Sequence, residues 1–440
     1  MINKLSGHHQ TYSLDDYDDT LVTLKKIFLL LGLRLTKKDS PNARFWYTVF
    51  FWFQFLNLII AVTLEIAEII RQCNGGTFDE KIASLGMIPC VGCSMLAMMK
   101  LYNLPFCFTL YQNLIDELRR LWPQGTVNED EHYIISTALK QLKFVTKGYY
   151  TSNWVLIIGC IVPCYITIIR NLFGQNLPKR LAFSYWFPMD PLQPIVFELV
   201  VLIQTWHTYL TILFIVTGDL LFFFYVSHTT TQLDLLSLKI QRLFAVSTDK
   251  QLNNSYSFAA INNEKYKNEH MNEAQRENGS QDDYQKDLLD VIAHHRTLLR
   301  LSANIENLYG FPLLFNFMNS SVILCFCTFC CVVIEKWYEF MYKMCVVTTL
   351  CQTWLICWYG QKLINSGEKV SVALYNCGWY CASHKNKRNI QIMMRRAQQQ
   401  LCVTTYGFAV ICLESYTTII KTSWSYFTLI FNAYKINQNK

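Results

Sequence analysis

Seven long apolar stretches, separated by polar and basic segments, most constrain what this chain can fold into. They cover residues 45–70, 82–102, 150–172, 194–227, 308–334, 343–363 and 401–431. Each is as long as the roughly 20 residues that cross the hydrocarbon core of a bilayer, or longer. A spanning segment satisfies its backbone groups internally, which favours α-helix. The sequence therefore predicts an all-α, polytopic membrane protein with seven transmembrane helices.

Composition agrees with this class and argues against others. Only 16% of the 440 residues are charged, against about 25% in soluble domains. The net charge of +7 is spread over the loops, which indicates contact with lipid head groups rather than nucleic acid. Most of the 17 cysteines lie in apolar runs, and the Cys90–Cys93 pair has no second pair nearby. We therefore expect no metal, no cofactor and no enzymatic activity.

Lysine and arginine are concentrated in the N-terminal segment and in the segments that follow the second, fourth and sixth spans. Cytosolic loops carry an excess of these residues. The chain is therefore predicted to have its N-terminus in the cytosol and, after seven crossings, its C-terminus outside. The segment between the fourth and fifth spans holds two sequons, at Asn253 and Asn278, which would face the cytosol and stay without glycans.

The chain reads as a single domain, 1–440, without repeats. We divide it into a cytosolic N-terminal region (1–44), helices one to four (45–248), a disordered asparagine-rich linker (249–287) and helices five to seven (288–440). Apolar residues at helical spacing in 228–244 and 288–306 predict that helices four and five continue into the cytosol. The segment 367–379 predicts the same for helix six.

Ionisable residues inside the spans are candidates for function. Glu65 and Glu68 lie near the outer end of the first span, where we expect an interfacial role in reach of water. Glu198 and His207 could orient a ligand or join two helices. Asp219 is expected to anchor helices. In the last span, Glu414 and Lys421 share one helical face and could flank a water-filled path.

The last forty residues carry the strongest indication of function. The segment 389–400 is basic and amphipathic, and it precedes the final apolar stretch. Near its end that stretch alternates small hydroxyl residues, Ser423, Ser425 and Thr428, with large apolar ones. Such a helix can line a pore with one face and contact lipid with the other. We therefore predict a last helix that is split into a cytosolic part and a pore-lining part.

Several segments together resemble the insect odorant receptor family. They are 218–222 with His228, Gln232 and Leu235; His295, Leu299, Ile305, Glu306, Ser321 and Cys325; 373–380; 394–398; and 423–429. The resemblance implies a ligand-gated, non-selective cation channel in the plasma membrane of olfactory neuron dendrites. The chain would be a ligand-tuning subunit, because its last span does not resemble that of the family's shared co-receptor. It would form a heterotetramer with that co-receptor. Its ligand would be a small volatile odorant.

The same resemblance implies positions for the pore and the ligand. The pore and gate would be formed by Ser425, Leu429 and Asn432, with Leu429 as a hydrophobic gate. The ligand pocket would lie in the outer half of spans two, three, four and six. Its candidate residues are Met87, Cys90, Val91, Ile158, Ile161, Tyr165, Val200, Gln204, His207, Val347, Thr348 and Cys351.

Two other receptor classes remain open at this stage. A G-protein-coupled receptor would also have seven spans, but the charge bias and the missing Asp-Arg-Tyr-like and Asn-Pro-x-x-Tyr-like motifs argue against it. A gustatory receptor of the same superfamily would end in a Thr-Tyr-x5-Gln-Phe-like motif. The residues 425–433 resemble that motif only loosely.

Overall fold

The computed structural model describes residues 11–33, 41–75, 84–175, 177–243, 266–333 and 339–438. Its α-helices are α1 Leu14–Leu30, α2 Pro41–Gly75, α3 Ile88–Leu101, α4 Phe108–Leu121, α5 Glu129–Leu172, α6 Val196–Leu243, α7 Tyr266–Val333, α8 Glu339–Asn376, α9 His384–Ala397 and α10 Leu413–Gln438. A 3-10 helix covers Trp379–Cys381. Two short strands, β1 Thr11–Tyr12 and β2 Gly125–Thr126, pair antiparallel. The predicted all-α fold is confirmed.

Five of these helices, α2, α5, α6, α7 and α8, are long and apolar enough to cross a bilayer. Helix α3, at Ile88–Leu101, is apolar but shorter. Helix α10, which is not among these five, contains residues 413–431 of the last predicted span. The helices run well beyond the predicted spans: α6 continues to Leu243, and α7 begins before the span predicted at 308. The long extensions of the fourth to sixth membrane helices therefore exist. On which side of the bilayer they lie stays a prediction.

Helix α6 forms the centre of the bundle and packs against α3, α5, α7 and α8. Apart from Asp219, its middle is largely apolar on every face, a pattern that suits a helix surrounded by others. Phe222, Phe223, Phe224 and Tyr225 are each at most 1% exposed. The Phe223 ring stacks on the Tyr359 ring of α8, with centroids 4.8 Å apart. This core holds the transmembrane helices in register around the site described below.

The N-terminal region folds against the same central helix. Ser13 caps α1, because its hydroxyl accepts from the Asp15 amide and its own amide donates to Asp16. The buried Tyr17 donates its hydroxyl to the backbone of α4 and contacts the ring of His228 on α6. Helices α1 and α4 thus cover the end of α6 that lies away from the cavity.

The apolar stretch predicted at 401–431 is not helical throughout. Helix α9 ends at Ala397 and α10 begins only at Leu413. Between them a small hairpin forms, in which the Ile411 amide donates to the Val403 carbonyl over 3.0 Å. Gly407, with φ +79°, supplies the turn. The predicted split of the last helix is confirmed. The prediction of a continuous helix from residue 401 is wrong, because the β-branched and glycine residues of 403–411 favour a hairpin over a helix.

Part of the predicted disordered linker, 249–265, lies outside the described residues. From Tyr266 onward the chain is helical, so the prediction of disorder differs from the structure over 266–287. Glutamate, glutamine, lysine and arginine are frequent there, and these residues have high helix propensity. Continuity with the amphipathic segment that follows adds to the tendency to form helix.

Candidate functional site

A cavity of about 100 Å³ lies between α2, α3, α5, α6, α7 and α8. A further part of its wall is a loop of residues 177–187, which we call the capping loop. Two further cavities, of about 520 Å³ and 240 Å³, adjoin it and share residues with it. Met341 of α8 borders all three. The three cavities therefore lie side by side under and beside the capping loop.

The wall of the main cavity is largely apolar, with a few polar groups. Its apolar and thiol lining comprises Pro89, Leu96, Leu156, Ile212, Ile215, Ile323, Met341, Cys90, Cys93, Cys160 and Cys345. Its polar lining includes Glu65, Ser94, Asn153, His207, Thr208, Thr348, Thr349 and Gln352. Such a site suits a small, mainly apolar molecule that is oriented by one or two hydrogen bonds. Among the described residues, no cluster of His, Cys, Asp or Glu is arranged to hold a metal ion.

Side chains from the helices hold the capping loop in place. The Gln204 amide of α6 donates to the Phe183 carbonyl over 2.5 Å, and its oxygen accepts from the Phe183 amide over 3.4 Å. The Trp186 amide donates to the Leu64 carbonyl of α2 over 3.2 Å. Phe183 and Tyr185 of the loop line the cavity directly. The loop is therefore a structured wall of the site.

A buried polar network forms the opposite end of the cavity. Asp219 of α6 pairs with Lys100 of α3, and each side chain is at most 4% exposed. The same carboxylate accepts from the Tyr149 hydroxyl over 2.6 Å and from the Gln352 amide over 2.8 Å. Tyr149 and Gln352 also line the cavity. The network confirms that Asp219 anchors helices, since it joins α3, α5, α6 and α8, and it connects that anchor to the site.

The structure places the predicted ligand residues in three environments. Three of them, Cys90, His207 and Thr348, line the main cavity, and Met87 lines an adjoining one. Three others are exposed on the outside of the bundle: Ile158 and Val347, each 54% exposed, and Cys351. The remaining five, which border neither of these cavities, are Val91, Ile161, Tyr165, Val200 and Gln204.

Some residues that line the cavity were not predicted from the sequence. Helical spacing could have identified some of them but not others. On α8, the cavity is lined at helical spacing by Cys345, Thr348, Thr349 and Gln352. Once one of these residues is known to face the cavity, helical spacing identifies the others. Glu65 was expected near water, yet it is 2% exposed and lines the cavity. The capping loop carries no periodic signal that places it over the site. Its contribution could not be found in the sequence.

The residues predicted for the pore share one face of α10. Ser425, Leu429 and Asn432 are exposed in the single chain, Leu429 by 68%. The face that packs on the bundle contains Ile419, Ser423 and Phe427, which are all buried. Further along, Tyr434 meets the ring of Phe329 on α7 at 5.8 Å. The helix therefore presents a mixed polar and apolar face away from its own bundle.

A bundle of helices long and apolar enough to cross a membrane, with an internal cavity, defines a polytopic membrane protein. Within that class the chain belongs to the odorant receptor family: the family model described as 7tm Odorant receptor matches residues 82–424. Among curated proteins, the chain is 23% identical to Odorant receptor 85b of Drosophila melanogaster over 410 residues, covering 90% of this chain and 94% of that one. Odorant receptor 85c of the same organism is 24% identical, with 90% and 93% covered.

Two solved structures share the fold. One is the insect olfactory receptor OR5 from Machilis hrabei in complex with eugenol, with a TM-score of 0.76 and 14% identity, covering 95% of this chain and all of that chain. The other is the same receptor described without eugenol, with a TM-score of 0.74, 14% identity and coverage of 95% and 98%. At this identity the likeness concerns the fold alone.

Proposed function

We propose that this odorant receptor is the odorant-binding subunit of a heteromeric, ligand-gated, non-selective cation channel. Its partner would be a co-receptor subunit, with which it forms a heterotetramer in the plasma membrane of olfactory neurons. The ligand would be a small volatile molecule, bound between the transmembrane helices. The N-terminus would lie in the cytosol and the C-terminus outside.

The observation that carries the proposal is the cavity under the capping loop. Its wall offers dispersion contacts from aliphatic, aromatic and thiol groups and only a few polar partners. A small ligand has few heavy atoms with which to gain binding free energy, so its affinity would be modest. The solved relative whose fold the chain shares was determined with eugenol, a small aromatic odorant. That precedent supports a volatile ligand here.

The second part of the proposal concerns conduction through α10. Its exposed face runs from Glu414 through Thr418, Lys421 and Ser425 to Leu429 and Asn432. Hydroxyl, charged and amide groups on one face favour a continuous layer of water along that face. The bulky, apolar side chain of Leu429 would interrupt this layer of water. A ring of such leucines from several subunits can block ions by excluding water. Movement of these helices apart would admit water and ions.

Whole-cell recording tests the function directly. Cells would express this chain alone, the co-receptor alone, or both, and an odorant panel would be applied while G-protein signalling is blocked. We expect rapid odorant-evoked cation current only in cells that express both chains. An odorant response that requires G-protein signalling and not the co-receptor would instead establish a G-protein-coupled receptor. Surface labelling confirms that each chain reaches the membrane.

A further inference from the structure

Glu65 is a buried carboxyl group at the cavity that its surroundings leave unsatisfied. It lies on α2, is 2% exposed and lines both the main cavity and the adjoining 240 Å³ cavity. Its Oε2 atom has no hydrogen-bond partner among the described residues. A polar group in this position carries a large desolvation cost unless a partner is supplied.

The neighbouring carboxylate shows what a satisfied group on the same helix looks like. Glu68 lies one turn further along α2 and accepts from Arg71 Nε over 2.8 Å and Arg71 Nη2 over 2.6 Å. Gln72 donates to it over 2.8 Å. Glu68 does not border the cavity, whereas Glu65 does. The unsatisfied carboxyl group of the pair is therefore the one that a ligand can reach.

A second unsatisfied group faces the same space from another helix. His207 of α6 is 5% exposed and lines the cavity, and its Nδ1 atom has no partner among the described residues. The imidazole lies beside the Tyr185 ring of the capping loop, with centroids 5.7 Å apart. A neutral imidazole nitrogen accepts a hydrogen bond, and an aromatic face attracts a cation.

These groups together define the chemistry of a matching ligand. Glu65, His207 and the Tyr185 ring border a pocket whose remaining wall combines aliphatic, thiol and aromatic side chains with several hydroxyl and amide groups. A primary ammonium group offers three N–H donors and the charge that a carboxylate requires. A hydroxyl group offers one donor and no charge. A compact organic amine therefore offers N–H donors for both groups, and its hydrocarbon part suits the apolar part of the wall.

We propose that this receptor binds a volatile aliphatic amine, with the ammonium group paired to Glu65 and donating to His207. The inference rests on the proposed function, since it specifies the ligand of the same cavity. Glu65 would then set ligand specificity. The apolar lining would set the size and shape of the hydrocarbon part.

Hexylamine, hexanol and heptane differ mainly in the group at one end, so they isolate its contribution. Each would be applied to cells that express the receptor with the co-receptor, and half-maximal concentrations would be compared. We expect the wild type to respond to hexylamine at the lowest concentration. Glu65→Gln keeps the size and removes the charge, so it should raise the hexylamine concentration about tenfold or more. The hexanol response should change by less than about threefold, since hexanol forms no ion pair.

Glu68→Gln is the matched control on the same helix and should leave the hexylamine response unchanged. A wild-type receptor that responds to hexanol but ignores hexylamine would overturn the inference, and this result does not depend on how any variant folds. Equal shifts for hexylamine and hexanol in Glu65→Gln would also overturn it, because they indicate a structural role. Absence of current to every odorant, with both chains at the surface, would overturn the proposed function itself.

Discussion

At the scale of single residues, the Asp219 carboxylate joins four helices. It accepts from side chains of three other helices and lies beneath the main cavity. A charge buried this deeply is tolerated only when it is paired and hydrogen-bonded. Lys100 supplies the charge, while Tyr149 and Gln352 supply further donors. The four residues therefore depend on one another.

Removing the charge of Asp219 should destabilise the fold. Asp219→Asn leaves the Lys100 ammonium buried without a counter-charge, which typically costs about 3–5 kcal/mol. We expect a lower unfolding temperature in detergent and reduced surface labelling. Asp234→Asn is the control on the same helix: its partner Lys369 is 60% exposed, and the loss should be about 1 kcal/mol or less. Equal effects of the two substitutions would contradict the assigned role.

The gate hypothesis rests on a single side chain of α10. Leu429→Ala shortens the residue that would exclude water from the pore, so the resting current without odorant should rise several-fold. The measurement is whole-cell leak in cells that also express the co-receptor. Trp424→Ala is the control, because Trp424 is also exposed but lies roughly 140° around the helix from Leu429. Unchanged leak in Leu429→Ala, with normal surface expression, would count against this gate.

At the scale of elements, helices were predictable and their faces were less so. Apolar length located the membrane helices, because a single segment satisfies its backbone groups in lipid only as a helix. To predict which side chains of a helix face the cavity, the rotation of that helix about its axis must be known. An error of one residue rotates the assigned face by about 100°. Val347 and Thr348 show this: they are adjacent, but only Thr348 lines the cavity. The residues of 403–411 favour a hairpin locally, but its position also depends on Glu306 of α7, which accepts from the Thr404 amide, and no local pattern reveals that contact.

The capping loop offers a test at this scale. Gln204→Leu keeps the volume but removes both hydrogen bonds to the Phe183 backbone. Leaving such groups unsatisfied costs about 1–3 kcal/mol, so the loop should hold a ligand less firmly. We expect the odorant current to decay about tenfold faster after washout. Thr205→Val, which affects the contact to Tyr165 but not the loop, should leave the decay unchanged. Identical decay in Gln204→Leu and the wild type would exclude this function of the loop.

At the scale of the whole molecule, orientation is the main prediction that the charge pattern makes. An epitope tag at the C-terminus should be labelled on intact cells, whereas a tag at the N-terminus should require permeabilised cells. The sequons at Asn253 and Asn278 should carry no glycan, so treatment with an endoglycosidase should leave the electrophoretic mobility unchanged. Labelling of the N-terminal tag on intact cells would invert the topology. It would also remove the main argument against a G-protein-coupled receptor.

The long extension of α6 beyond its buried anchor has a mechanical consequence. Asp219 fixes α6 to three other helices at one level, and the helix continues for 24 residues from there to Leu243. At a rise of about 1.5 Å per residue this arm is about 36 Å long. A tilt of about 3° around the anchor therefore moves its tip by about 2 Å, in the direction opposite to the cavity end. With Asp219 as the pivot of α6, we expect a displacement of this helix around a small ligand to be transmitted to the far end of the bundle.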